Sequence, residues 1–105
     1  MTEMRVETTS GDGVEVLTVS GTVDLESSAK LWDAIEPRLS KAPDLVIDLA
    51  QVGFIDSSGI AILIRGYKHA QKQGIGFRLR APSEQVRAVL ELSQLTRLFT
   101  IEGDT

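Results

Sequence analysis

The chain has 105 residues, with 11 Lys and Arg against 15 Asp and Glu, one His and no Cys. That length suits one domain over 1–105, large enough to bury a core without disulfides or a structural metal. The formal charge of −4 makes nucleic acid a poor partner, and without Cys there is no thiol nucleophile and no Cys/His zinc site. The longest apolar run, Ile60 to Ile64, falls far short of the roughly 20 residues that cross a bilayer. The first ten residues lack the apolar centre of a signal peptide, so a cytoplasmic protein without a membrane partner is expected.

Gly11-Asp12-Gly13 is a turn signal between two alternating runs. It predicts an N-terminal hairpin: a strand around Arg5 to Thr9, then a second through Val14, Val16 or Leu17, and Val19, ending near Gly21. Asp24 is a natural N-cap for a helix that places Leu31, Trp32, Ile35 and Leu39 on one face. Pro37 should kink that helix or end its regular part, because it has no N–H and clashes with the preceding turn. Pro43-Asp44 leads into Leu45, Val46, Ile47 and Leu49, the near-continuous apolar run of a central parallel strand. Ile75 to Leu79 and Leu98 to Ile101 are weaker strand candidates. Ser83 caps a short helix carrying Val86, Val89 and Leu90. The order β-β-α-β-α-β-α-β predicts an α/β domain with a mixed sheet of four to five strands and three to four helices.

The most informative stretch, Val46 to Gly74, reads strand, turn, helix. Asp56 or Ser57 caps the helix and Gly74 ends it. Ile60, Leu63, Ile64, Tyr67 and Ala70 cluster on one helix face and should pack on the sheet. Arg65, Lys68, His69 and Lys72 cluster on the other. Ala61 sits within the basic face and Ile62 at its flank, a small apolar spot beside Ser57 and Ser58. Either a partner docks there or a neighbouring loop covers it.

A helix N-terminus offers unpaired N–H groups and the positive end of the dipole, so a phosphate on Ser57 is favoured there. It adds roughly −1.5 to −2 charge at neutral pH, partly opposed by Asp56. On spacing alone, D-S-S-G reads first as a plain capped helix start, since Ser and Asp are the commonest caps. Enzyme constellations are poorer. Twelve residues of helix hold His69 about 18 Å from Ser57, too far for a Ser–His pair, and His69 is expected as a solvated surface residue. Asp24, Asp48 and Asp56 could meet at one sheet edge as a metal or phosphatase site, or serve only as caps and a strand-end residue. Gly11-Asp12-Gly13 is no phosphate loop.

Gly21-Thr22-Val23-Asp24, Val46-Ile47-Asp48-Leu49 and Phe54-Ile55-Asp56-Ser57-Ser58-Gly59, followed by the helix to Gly74, resemble the STAS domain, and specifically the bacterial anti-sigma factor antagonists. The resemblance implies that Ser57 is phosphorylated by an anti-sigma factor that is itself a serine kinase, and reset by a serine phosphatase. ATP and Mg²⁺ would belong to the kinase, with no cofactor and no catalytic residue on this chain. The unphosphorylated form would bind the anti-sigma factor and free its sigma factor. Asp24 and Asp56 match family positions near the acceptor, so they are expected to line the partner surface with Ser58 and Gly59. Ala61, Ile62 and Arg65 on the adjacent helix would extend that surface. Many relatives carry Gly where this chain has Ala61, a departure in the contact geometry. Gly66 in mid-helix would allow close packing on the sheet. STAS domains also serve as small subunits of lipid-trafficking ABC transporters, docking on the ATPase subunit. That is the alternative within the same fold, and a small phosphatase using Asp48 or Asp56 is a third reading.

Overall fold

A computed structural model describes residues 2–41 and 43–103; Met1, Ala42, Asp104 and Thr105 of the expected 1–105 domain lie outside the described residues. Strand β1 (Arg5–Gly11) turns back into β2 (Val14–Val23) as the expected hairpin. Asp12 and Gly13 both have positive φ, 53° and 78°, the backbone of a type I′ turn that suits the right-handed twist of the two strands.

From β2 the chain alternates helix and strand. Helix α1 spans Leu25–Ile35, β3 Asp44–Ile55, α2 Ser57–Gln73, β4 Gly76–Arg80, α3 Glu84–Leu92 and β5 Thr100–Glu102. Two 3₁₀ turns, Glu36–Ser40 and Leu95–Arg97, complete the described elements. The sheet runs β1-β2-β3-β4-β5, with β1 antiparallel and the remaining pairs parallel. This is the expected mixed α/β sheet, with five strands and three α-helices.

The elements depart from the sequence expectation in three places. Pro37 ends α1 at Ile35 as expected, but Leu39 then reaches the core from the first 3₁₀ turn rather than from the helix face. Strand β2 continues past Gly21 to Val23, and β3 runs six residues beyond Leu49 to Ile55. Two register shifts explain why: Thr18 and Ser20 pair with Asp48 and Gln51, and Gly21 and Thr22 with Val52 and Phe54. Each shift inserts an extra residue into β3, a bulge that breaks the two-residue alternation.

Helices α1 and α2 pack on each other, α1 also against β2 and α2 against β3 and β4. The layer between them is fully buried Leu17, Val19, Leu31, Ile35, Ile47 and Leu63, each contributing about 1.5–3 kcal/mol by burial. Gly66 faces this layer. A Cβ there would lie 3.0 Å from the Phe77 ring and 3.3 Å from Ile35, so the missing side chain lets α2 approach β4 and α1 closely. Tyr67, Phe77 and Phe99 pack as an aromatic cluster, with Tyr67 edge-on to both phenylalanine rings. Gly74 ends α2 in the left-handed conformation, φ 69°, its N–H donating to the Ala70 and Gln71 carbonyls. Among the described residues no helix is long and apolar enough to cross a membrane.

Candidate functional site

Val23 and Ile55 are register partners at the ends of β2 and β3, so the helices that follow begin side by side at the C-terminal end of these two inner strands. The Asp56 N–H donates to the Val23 carbonyl at 3.1 Å and ties the two junctions together. Each helix opens with an Asp N-cap in extended conformation.

At α1, one Asp24 carboxylate oxygen accepts from the Ser27 N–H at 3.1 Å, and the Ser27 hydroxyl accepts from the Asp24 N–H at 2.9 Å. This is a capping box, and the Ser27 hydroxyl also reaches the Thr22 carbonyl at 3.1 Å. At α2, one Asp56 oxygen accepts from the Ser58 N–H at 2.8 Å and the Gly59 N–H at 3.2 Å. Asp56 is therefore the cap and Ser57 the first helical residue. Ser57 is exposed, and its hydroxyl makes no hydrogen bond with any described residue.

Two glycines of the motifs have steric causes. A Cβ on Gly59 would lie 2.6 Å from Val23 Cγ1 and 2.7 Å from Ile55 Cγ1, so the first turn of α2 presses directly on the two strand ends. Gly21 has φ +88°, and a Cβ there would meet the Glu3 carbonyl oxygen. The segment at Thr2 and Glu3 crosses Gly21, and the Thr22 N–H donates to the Thr2 carbonyl at 2.9 Å. These glycines and caps set the positions of Asp24, Asp56 and Ser57.

Along α2, Ala61 and Arg65 are exposed beyond Ser57, while Ser58 is half-buried. Ile62 is half-buried and packs against the core, so the apolar spot beside the hydroxyls is carried mainly by Ala61. The Arg65 guanidinium sits 4.1 Å above the Trp32 ring, and His69 meets the same ring edge-on with centroids 5.2 Å apart. His69 is thus half-buried against α1, not the solvated residue its position among basic neighbours suggested. Lys68 and Lys72 are exposed as expected.

Asp48 does not join Asp24 and Asp56. It is held on β3 by Arg80, whose Nε and Nη2 donate to one carboxylate oxygen at 3.1 and 3.0 Å. Among the described residues, no three His, Cys, Asp or Glu side chains come together in a metal-binding group.

Sequence reasoning missed two residues at this end of the sheet. Leu25, the first residue of α1, is 77% exposed, and Phe54, paired with Thr22, is 43% exposed. Leu25 lies seven residues before buried Trp32, so helical periodicity places it inside, and only the tertiary arrangement leaves it uncovered. Phe54 was readable: it precedes inward-facing Ile55 in an extended strand and so points the other way.

Fold and site define a small α/β domain whose distinctive feature is a pair of capped helix starts at the C-terminal ends of two adjacent inner strands. The family model described as "Mlab, STAS domain" matches residues 6–101, and the chain belongs to the STAS domain family. Anti-sigma-F factor antagonist RsfB of Mycobacterium tuberculosis is 33% identical over 91 residues, covering 86% of this chain and 74% of that protein. The anti-sigma-B factor antagonist of Bacillus subtilis is 26% identical over 85 residues, covering 81% of this chain and 78% of its own. A crystal structure of an anti-sigma factor antagonist from Mycobacterium paratuberculosis superposes with a TM-score of 0.87 at 32% identity, over 95% of this chain and 86% of that one.

Proposed function

We propose that this chain is an anti-sigma factor antagonist, a cytoplasmic binding domain switched by phosphorylation of Ser57. The observation that carries the reading is the free, exposed Ser57 hydroxyl at the start of α2, next to a cap that Asp56 supplies alone. The relatives named above support the antagonist role over the transporter-subunit reading.

The chemistry follows from the position. A kinase-type anti-sigma factor, holding ATP and Mg²⁺, transfers the γ-phosphoryl group to Ser57 Oγ; the hydroxyl proton departs and ADP is released. A serine phosphatase hydrolyses the ester and restores the hydroxyl. The helix start accommodates the phosphate with about 0.3–1 kcal/mol of favourable dipole interaction, offset in part by the Asp56 carboxylate. Because the cap hydrogen bonds come from Asp56 and not from Ser57, the fold survives the modification. What changes is the surface, by roughly −1.5 to −2 charge. Asp24, Asp56, Ser58, Ala61 and Arg65 form the surface that meets the anti-sigma factor, with half-buried Ile62 at its margin and buried Gly59 holding the helix start against the strands.

Incubation with the kinase-type anti-sigma factor of the same organism and ATP is expected to add one phosphate, read by intact mass, and Ser57→Ala to abolish it. The unmodified chain should bind the anti-sigma factor and the phosphorylated chain should not. Phosphate appearing on Ser57→Ala, or binding to a transporter ATPase subunit and not to the anti-sigma factor, would overturn the proposal.

A further inference from the structure

The exposed side of α2 does not end at the acceptor. Ala61, Ile64, Arg65, Lys68 and Lys72 follow Ser57 at intervals of four, seven, eight, eleven and fifteen residues, the spacing of one helix face. The stripe is about 22 Å long. Ala61, Ile64, Arg65, Lys68, His69 and Lys72 line a shallow groove of about 330 Å³. Its composition changes along its length, from a small apolar head beside Ser57 to a cationic tail.

The cations of this tail are unspent. Arg65, Lys68 and Lys72 form no ion pair with any described residue, whereas Arg38, Arg78 and Arg80 each pair with a carboxylate. Among the described residues Arg5, Lys30, Lys41 and Arg97 also lack an ion pair but are scattered over other elements, whereas Arg65, Lys68 and Lys72 share one helix face. Arg65 is also held in place by the Trp32 ring beneath it.

Resting on the antagonist reading, we infer that this stripe is a docking track for an acidic surface of the anti-sigma factor, running from Ser57 towards Lys72. Positive charge fits either an acidic protein or an anionic lipid, and the side chains of the stripe favour the protein. Membrane-surface helices insert bulky apolar side chains, and this stripe exposes only Ala61 at its head with Ile64 half-buried. The net negative chain is also repelled by an anionic bilayer.

The track gives the switch a physical basis. Lys68 lies about 16 Å along the helix from Ser57, beyond the ~8 Å Debye length at physiological salt. A phosphate on Ser57 therefore leaves the cationic tail uncompensated. It acts at the head of the track, where an acidic partner surface meets new negative charge. The tail attracts in both states, and the head decides whether the complex closes.

The test is binding of the chain to the anti-sigma factor of the same organism, followed by titration calorimetry at several salt concentrations. K68E/K72E should bind about tenfold or more weakly with a flatter salt dependence. K68Q/K72Q should fall between it and wild type. K41E, at an exposed lysine off this helix, should match wild type. Lys68 and Lys72 are exposed and unpaired, so the melting temperature of K68Q/K72Q should equal that of wild type. Wild-type affinity and salt dependence in K68E/K72E overturn the track while Ser57 phosphorylation stands. Absence of wild-type binding to the anti-sigma factor overturns both. Binding to vesicles of equal phosphatidylcholine and phosphatidylglycerol that K68E/K72E abolishes, with anti-sigma factor binding unchanged, also overturns it in favour of a lipid surface.

Discussion

The first turns of α1 and α2 solve the same problem side by side and diverge at matching positions. Both follow a parallel strand, both are capped by Asp, and their caps sit beside each other on adjacent strands. At the first helical position α1 has Leu25 and α2 has Ser57; at the third, α1 has Ser27 and α2 has Gly59. In α1 the serine is turned inward, and its hydroxyl is occupied by the Asp24 N–H and the Thr22 carbonyl. In α2 the serine is moved two residues forward into solvent, and the place it would have held is left to a glycine against Val23 and Ile55. A hydroxyl used for capping is closed to chemistry. A hydroxyl one position past the cap is open to it. Together the two helix starts separate a serine used for capping from one left exposed with a free hydroxyl.

Substitutions break this contrast in a definite order. Gly59→Ala should cost most, about 2–3 kcal/mol, because its methyl overlaps two side chains at the strand ends. Thermal unfolding should show a drop of roughly 10 °C or more. A melting temperature within a degree or so of wild type would show that α2 does not press on the strands as described. Asp24→Ala should lose about 1–2 kcal/mol by opening the capping box, and Asp56→Ala about 1 kcal/mol, both read by denaturant titration. Equal costs would remove the distinction between the reciprocal box and the one-sided cap. Ser27→Ala should lose about 1 kcal/mol, since it leaves the Asp24 N–H without its partner. Ser57→Ala should change stability by less than ~0.5 kcal/mol. If the two serine variants unfold at the same denaturant concentration, the division of labour between them is wrong.

Much of this region is legible in local sequence because caps and turns are local. Asp12-Gly13 needs only the twist preference of two strands, and Asp24 and Asp56 need only a helix start. The length of β3 is different. Leu49, Val52 and Ile55 are buried at intervals of three, a pattern that is neither strand nor helix until the bulges opposite β2 are known. The D-S-S-G motif could be read, yet the reason for its glycine lies in Ile55 and in Val23, the latter more than thirty residues earlier. His69 was misplaced for the same reason: its periodicity assigns it to a basic face, and only the packing of α1 on α2 brings Trp32 beneath it. Properties set by neighbours in the chain were visible, and properties set by contact across the sheet or between helices were not.

The stack of Arg65 on Trp32 has a consequence outside energetics. Trp32 is the only tryptophan in the chain, so its emission carries no competing signal from another indole. It is nearly buried between α1 and α2, with a guanidinium over its face and an imidazole at its edge. A partner that seats in the adjacent groove and draws Arg65 towards itself alters both the polarity and the contacts around that indole. The domain thus contains its own optical probe for the proposed docking on α2, which intrinsic fluorescence can follow without an attached dye.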